Sequence, residues 1–338
     1  MNEFLDTRLE APELTGHEGL RRLASTGARI RRTATEETLG ELRRVDRPRG
    51  VLIIGPEARL VRAVLEPVCP IPFMAWPGPG LPAWVGPLDL VVVIGDKRPI
   101  SWLVEAGAEA ARRGATLIVA APPHSELAQV TTTSETVLLA TNDFDSTASA
   151  VAVLALLGQM GLGPAVSIES VADAADLVAE ECSPHRAIGS NPGKDLALQL
   201  ADRLPLIWGG SVLANRASRR LGEAVRRVSG TPALAADASE VLAVLRGVPP
   251  RDPFADPGDD ARLIDPVVVL LDADKAPPHQ AHIADELERV ADAVGVRVAR
   301  ISSGDPDLSS SDVERYITLL IHGLYGAEYL SIGLGGEE

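Results

Sequence analysis

Leu90-Val91-Val92-Val93-Ile94, then Gly95-Asp96-Lys97-Arg98-Pro99-Ile100-Ser101, a helical pattern from Trp102 to Arg113, Gly114, and Thr116-Leu117-Ile118-Val119-Ala120 decide the fold. Two short apolar runs flank one helix, an order and length that suit a right-handed parallel crossover. The loop after the first strand of such a unit faces the ligand crevice. The N-terminus of the helix that follows offers free N–H groups to an anion. A loop closing on phosphate through hydroxyls and bare backbone is rich in Ser, Thr and Gly; this one carries Asp96, Lys97, Arg98 and Pro99. Lys97 and Arg98 are candidate anion hooks, one a point charge and the other a planar fork. The alternative pairs them with Asp96 on a solvated loop. Ser101 is either the N-cap of the helix or a phosphate contact.

Working outward, Val51-Leu52-Ile53-Ile54 reads as a buried strand that turns at Gly55-Pro56-Glu57 into a helix. Residues 67–87 are dense in Pro and Gly and must be extended, with a short strand near Phe73. Val137-Leu138-Leu139-Ala140 gives another strand, and residues 146–160 a long apolar helix. The result is a parallel sheet of about five strands with helices on both faces. Helices are also expected over residues 21–43, 168–181 and 192–203. Pro205-Leu206-Ile207-Trp208, the loop Gly209-Gly210-Ser211 and a basic helix through Arg227 then repeat the strand–loop–helix opening of the first half. A strand at residues 266–271, a helix at 278–294, a strand at 296–301 and a helix capped by Ser309-Ser310-Ser311-Asp312 complete a second αβα domain. The domain limits read as 1–163 and 164–338.

At 338 residues the chain exceeds a single ordinary core, which agrees with two domains. A net charge of −15 argues against nucleic acid and anionic membrane surfaces as partners. The first ten residues lack the apolar run of a signal peptide, and the run at 148–157 is too short to span a bilayer. Cys69 and Cys182 read as a reduced pair, so a soluble cytoplasmic protein is expected, without metal or cofactor. His279 and His282 have i,i+3 spacing but no Cys or carboxylate partner, so exposed histidines are the expectation there. His124, after Pro122-Pro123 at a strand end, is the candidate acid/base residue at the crevice. His322 sits in an apolar helix and is expected to make one core hydrogen bond. Gly55, Gly210 and Ser211 allow close backbone approach and are candidate ligand contacts. The arginines 216, 219, 220, 226 and 227 follow one helix and are expected to pair with acids across an interface. Residues 248–260, rich in Pro and Asp, read as a mobile insertion or a lid.

The order of these pieces resembles the SIS (sugar isomerase) fold, and within it the bifunctional phosphoglucose/phosphomannose isomerases. The pieces that fit are 90–94 with Glu109-Ala110-Ala111-Arg112-Arg113-Gly114-Ala115, then Glu181-Cys182-Ser183-Pro184, and Asn191 with Lys194 ahead of Leu204-Pro205-Leu206-Ile207-Trp208-Gly209. Thr231-Pro232-Ala233 and Tyr316-Ile317-Thr318-Leu319-Leu320 also fit. The resemblance implies two SIS-like three-layer αβα domains, a homodimer and a sugar phosphate ligand. The active-site motifs of that family do not carry over. Its phosphate loop falls on residues 94–99, its catalytic Glu near Arg227, and its His-Asn-Glu signature on Val241-Leu242-Ala243-Val244.

Aldose–ketose isomerisation needs a base, an acid and a phosphate anchor, and base and acid alone each contribute roughly 10²–10⁴ in rate. The sequence therefore points to a family member that binds a sugar phosphate, or a partner protein, with little or no turnover. The alternative is an active isomerase interconverting glucose 6-phosphate or mannose 6-phosphate with fructose 6-phosphate.

Overall fold

The computed structural model describes residues 5–33, 47–95, 100–141, 143, 145–249, 265–272, 278–304 and 310–336. Lys97, Arg98, most of the 248–260 segment and the side chain of His279 lie outside them. By their contacts, Thr26–Asp173 form one compact unit, and Met1–Ser25 with Ala174–Glu338 form the other.

In the Thr26–Asp173 unit, strands β1 (Val51–Ile54), β2 (Phe73–Ala75), β3 (Leu90–Ile94), β4 (Thr116–Ala121) and β5 (Thr136–Ala140) form a sheet ordered β2-β1-β3-β4-β5. Every pairing is parallel, with Val51 opposite Leu90 and Val91 opposite Leu117. The central strands are unbroken Val/Ile/Leu runs because both faces are covered. Leu52, Val91 and Leu117 point to one face, where they meet Leu103 and Ala106 of α5 (Ser101–Arg112) and Leu127 of α6 (Glu126–Thr131). The opposite face carries α4 (Ala58–Leu65) and α7 (Ser146–Gln159). Helix α7 is apolar all round because α3 (Thr26–Thr33) packs on its outer side, so residues 148–157 are all buried.

The other unit holds a sheet ordered β7-β6-β8-β9, again entirely parallel, from β6 (Leu204–Gly209), β7 (Leu234–Ala235), β8 (Pro266–Leu271) and β9 (Arg297–Ile301). One face buries Leu206, Trp208, Val268 and Leu270 with Val241 and Leu245 of α11 (Ala238–Arg246) and Leu287 of α12 (Pro278–Ala293). Helix α8 (Ile168–Glu181) precedes α9 (Pro192–Leu200) in the chain; α10 (Val212–Val228) packs on β6 and on the long α13 (Asp312–Leu334), which lies against α9 too. Ser311 caps α13 in a full capping box with Glu314, as the serine run foretold, and the helix continues past Leu330 to Leu334. By length and composition α13 could cross a membrane, yet 67% of its apolar window is buried inside the unit. The cover comes from α9, α10 and the leading helices α1 (Leu5–Leu9) and α2 (Glu18–Ala24). Arg8 Nη1 donates to the Gly333 carbonyl at 2.8 Å, and Glu10 Oε1 accepts from the Ile188 N–H at 2.7 Å.

Candidate functional site

Both sheets end in strand-to-helix turns where a ligand crevice is expected, and the turns are built differently. At the end of β1, Gly55 has φ +123°, and a Cβ there would lie 2.2 Å from the Ile94 carbonyl oxygen. The glycine is therefore required by close approach of the turn to β3, independently of any ligand. Gly95 N–H donates to the Ala120 carbonyl at 2.9 Å, which continues the pairing beyond β3. Ser101 is exposed and is the first residue inside α5; the cap position falls on Ile100, and no side chain caps this end. The capping role expected of Ser101 is thus corrected: Ile100, in extended conformation, already accepts from Leu103 N–H at 2.9 Å. His124 is exposed in the turn after β4, its carbonyl accepting from Gln129 Nε2 at 3.3 Å. Its ring has no hydrogen-bond partner among the described residues. Ser125, one residue on, caps α6 through the Ala128 N–H.

Three polar residues at this edge escaped the sequence reading. Glu57 is 1% exposed at the head of α4. Thr141, just after β5, is 4% exposed, and among the described residues its hydroxyl has no hydrogen-bond partner. Asp145 caps α7 and pairs with Arg29 of α3. Arg29 lies over a hundred residues from Asp145, so no local pattern announces their pairing.

At the end of β6, a Cβ on Gly209 would stand 2.2 Å from backbone atoms of Ala214 and Asn215. Gly210 N–H pairs with the Leu271 carbonyl at 2.9 Å, and Ser211 Oγ accepts from the Ala214 N–H at 3.1 Å as the N-cap of α10. Gly210 extends the sheet and Ser211 closes a helix, so both have structural work whatever they touch in a ligand. Beside them Asp272 is buried at φ +47°, and its two oxygens accept from Ser303 N–H at 2.7 Å and Ser303 Oγ at 2.8 Å. This bond pair ties the ends of β8 and β9 together.

The positions where isomerase chemistry is expected hold other work. Arg227 is exposed on the last turn of α10. Val241 and Leu242 of α11 are 0% and 7% exposed in the core beside Trp208 and Leu270. Three of the five arginines of the series find partners within their own unit. Arg220 reaches Glu223 at 2.7 Å, Arg219 lies 3.7 Å from Asp237, and Arg226 Nη1 donates to the Ala233 carbonyl at 2.6 Å. Burial opposes the charge of Glu223, but Arg220, helped by Arg216 and Arg227, outweighs it and holds the carboxyl below its ordinary range. His282 is exposed, and among the described residues no three His, Cys, Asp or Glu side chains converge as a metal site needs.

The signature residues around Glu181 and Lys194 form a clamp. Lys194 is 1% exposed; its Nζ donates to the Pro184 carbonyl at 3.1 Å and the Arg186 carbonyl at 2.8 Å, and lies 5.8 Å from the Tyr329 ring centre. Tyr329 Oη donates to the Cys182 carbonyl at 2.7 Å, and Asn191 Nδ2 to the Ser183 carbonyl at 2.9 Å. Burial pushes the Cys182 thiol up to about 12 and the Lys194 ammonium below its ordinary value. A thiol so shifted is neutral at physiological pH and no nucleophile.

His322 Nε2 meets Glu181 Oε2 at 3.2 Å, the single hydrogen bond expected of it, though to a carboxylate. That bond, with smaller help from the charges of His322 and Arg186 and against burial, lowers the Glu181 pKa. A lowered carboxyl stabilises the fold above the ordinary Glu range, and the contribution is lost as pH falls through the folded-state value. Glu181→Gln is accordingly expected to reduce the urea midpoint at about pH 7, and the gap from wild type to be smaller at about pH 3. An equal gap at both values would contradict the assignment.

Two all-parallel sheets, each covered by helices on both faces and each ended by glycine-turned strand-to-helix junctions, define an SIS-fold protein. Residues 189–337 match the family model of the bacterial phospho-glucose isomerase C-terminal SIS domain. Solved structures share the fold over nearly the whole chain. The tagatose-6-phosphate ketose/aldose isomerase from Escherichia coli superposes with a TM-score of 0.66 at 16% identity, covering 96% of this chain and 95% of that one. The glucosamine-6-phosphate deaminase from Thermotoga maritima gives 0.59 at 11% identity, over 94% and 95%. A glucose-6-phosphate isomerase like protein from Thermus thermophilus gives 0.52 at 16% identity, over 94% of each. No curated protein matches the chain in sequence.

Proposed function

We propose that this protein is a cytoplasmic SIS homodimer that binds a sugar phosphate with little or no turnover. The observation that carries the reading is α11. Where the resembling isomerases place a His-Asn-Glu signature, this chain has apolar residues packed into the core behind Trp208. A proton-transfer group must reach the substrate within hydrogen-bond distance, and Val241 and Leu242 offer neither the proton nor the reach. Arg227, near the position of the family's base, is a permanent cation and cannot accept a proton at neutral pH. The match of residues 189–337 to an SIS domain model and the fold shared with phosphosugar isomerases and a deaminase support sugar phosphate as the ligand class.

Lys97 and Arg98 are the proposed anchors of the phosphate, with Gly55, Ser101, Gly210 and Ser211 as further contacts. Lys97→Ala/Arg98→Ala is expected to weaken fructose 6-phosphate binding about tenfold or more, since each charge-assisted bond is worth roughly 1.5–3 kcal/mol. Unchanged affinity removes these two residues from the site. The competing reading, an active isomerase using His124, predicts product from glucose, mannose or fructose 6-phosphate and its loss in His124→Ala. Saturating incubation with all three sugars is expected to yield none.

A further inference from the structure

We infer that Trp76 sets specificity in the crevice of the Thr26–Asp173 sheet, its indole N–H donating to a neutral oxygen of the bound sugar. The inference rests on the sugar-phosphate reading above and adds to it a residue and the part of the ligand that it meets. In the strand order β2-β1-β3-β4-β5 the direction of travel reverses between β1 and β3. In open parallel sheets a ligand lies outside the carboxyl ends of the strands at such a reversal. Trp76 stands at that end. It directly follows β2, and its backbone N–H donates to the Ile53 carbonyl at 2.9 Å, which extends the pairing of Ala75 with Ile53. Alternation then sets Trp76 level with Ile54 and Val93, in the last row of β1 on the face that α5 covers. Its side chain packs there, against the apolar cluster that holds Ile54, Val93 and Leu103.

The second observation is the indole nitrogen itself. The residue is half-buried, but Nε1 is shut off from water and has no hydrogen-bond partner among the described residues. A buried indole N–H ordinarily finds an acceptor, and leaving a buried donor without one is a standing cost. The side chains of the cluster are apolar and offer none. A ligand that enters the crevice and parts the cover over Nε1 can supply it. The surroundings select which part of the ligand that is. The indole donates without accepting and carries no charge. A phosphate brought against an apolar cluster would lose its water with no cation there to meet it. A hydroxyl or carbonyl oxygen of the sugar carries no such penalty, and the ring offers the carbon face of the sugar an apolar surface. Trp102, the second residue of α5, packs on the same cluster, so two of the chain's four tryptophans stand at this end of the sheet.

The test titrates fructose 6-phosphate into nitrogen-labelled full-length protein and follows the tryptophan indole resonances beside saturation transfer to the sugar. The Trp76 peak is the one missing from Trp76→Phe. Should that variant fail to fold, Trp84→Phe, Trp102→Phe and Trp208→Phe assign it by elimination. The peak is expected to shift saturably with the sugar and to stay in place with inorganic phosphate alone. Trp76→Phe keeps an aromatic ring and removes the donor, and is expected to weaken sugar binding about three- to tenfold. Saturation transfer with a stationary Trp76 peak, or with unchanged affinity in Trp76→Phe, overturns the inference and leaves the sugar-phosphate reading standing. A peak moved equally by inorganic phosphate overturns the assignment to the sugar's own oxygens. Absence of saturation transfer removes the reading and the inference with it.

Discussion

Gly209→Ala is expected to cost about 3 kcal/mol or more of unfolding free energy. The added Cβ would sit 2.2 Å from the Ala214 carbonyl carbon and from the Asn215 nitrogen, and 2.5 Å from the Ala214 oxygen. These are backbone atoms of the first turn of α10, which no side-chain rotation can move. Relief requires α10 to lift from β6, and that strips cover from Ala217 and Leu221, both buried. It also disturbs the Ser211 cap, because Ala214 supplies the N–H that Ser211 Oγ receives. Gly189→Ala is the control: nothing lies within 4 Å of its Cβ position, and a change within about 0.5 kcal/mol is expected. Urea unfolding of both variants checks the pair. Equal stability would mean that the β6–α10 turn has slack the geometry does not show.

Lys194→Met is expected to lose about 2–3 kcal/mol, although methionine fills nearly the same volume. The loss arises in the two carbonyls, Pro184 and Arg186, which give up the ammonium that now satisfies them. Relief from burying a charge offsets part of the cost and keeps the figure below the sum of two orphaned groups. The same turn is held by Tyr329 Oη on the Cys182 carbonyl, so Tyr329→Phe should cost about 1 kcal/mol. The double variant should depart from additivity because both residues hold one turn and their side chains touch. A Lys194→Met protein as stable as wild type would contradict the role assigned to the ammonium in satisfying these two carbonyls.

The elements were legible where one repeating pattern filled them. The Val/Ile/Leu runs of β1, β3 and β8 gave buried parallel strands, the apolar run at 148–157 gave a helix covered on all sides, and Ser311 with Glu314 marked the start of α13. Among the short elements, β2 was legible near Phe73, but α6 and β7 were not. Helix α6 is six residues long and β7 only two, too few to show a period. Helix α11 lay hidden because Val241–Leu245 looks like a strand run until its packing behind Trp208 is seen. The residues that matter for chemistry were hardest to read, because they meet across long stretches of chain. Arg29 and Asp145 are 116 residues apart, and Tyr329 and Cys182 are 147 apart. Lys194 was visible as part of a family-like pattern, but its buried, carbonyl-bound position is a property of the tertiary fold. Gly55 and Gly210 were read as possible ligand contacts, whereas Gly55 is demanded by a backbone approach of 2.2 Å and Gly210 extends the sheet through the Leu271 carbonyl.

The most direct test of a sugar-phosphate binder without isomerase chemistry is proton NMR of fructose 6-phosphate in heavy water with near-stoichiometric protein, including saturation transfer from protein to sugar. The account predicts saturation transfer to the sugar, no aldose signals and no deuterium at C1 or C2. Deuterium or aldose peaks would contradict it by revealing a working acid and base, and absence of saturation transfer would contradict it by removing the ligand.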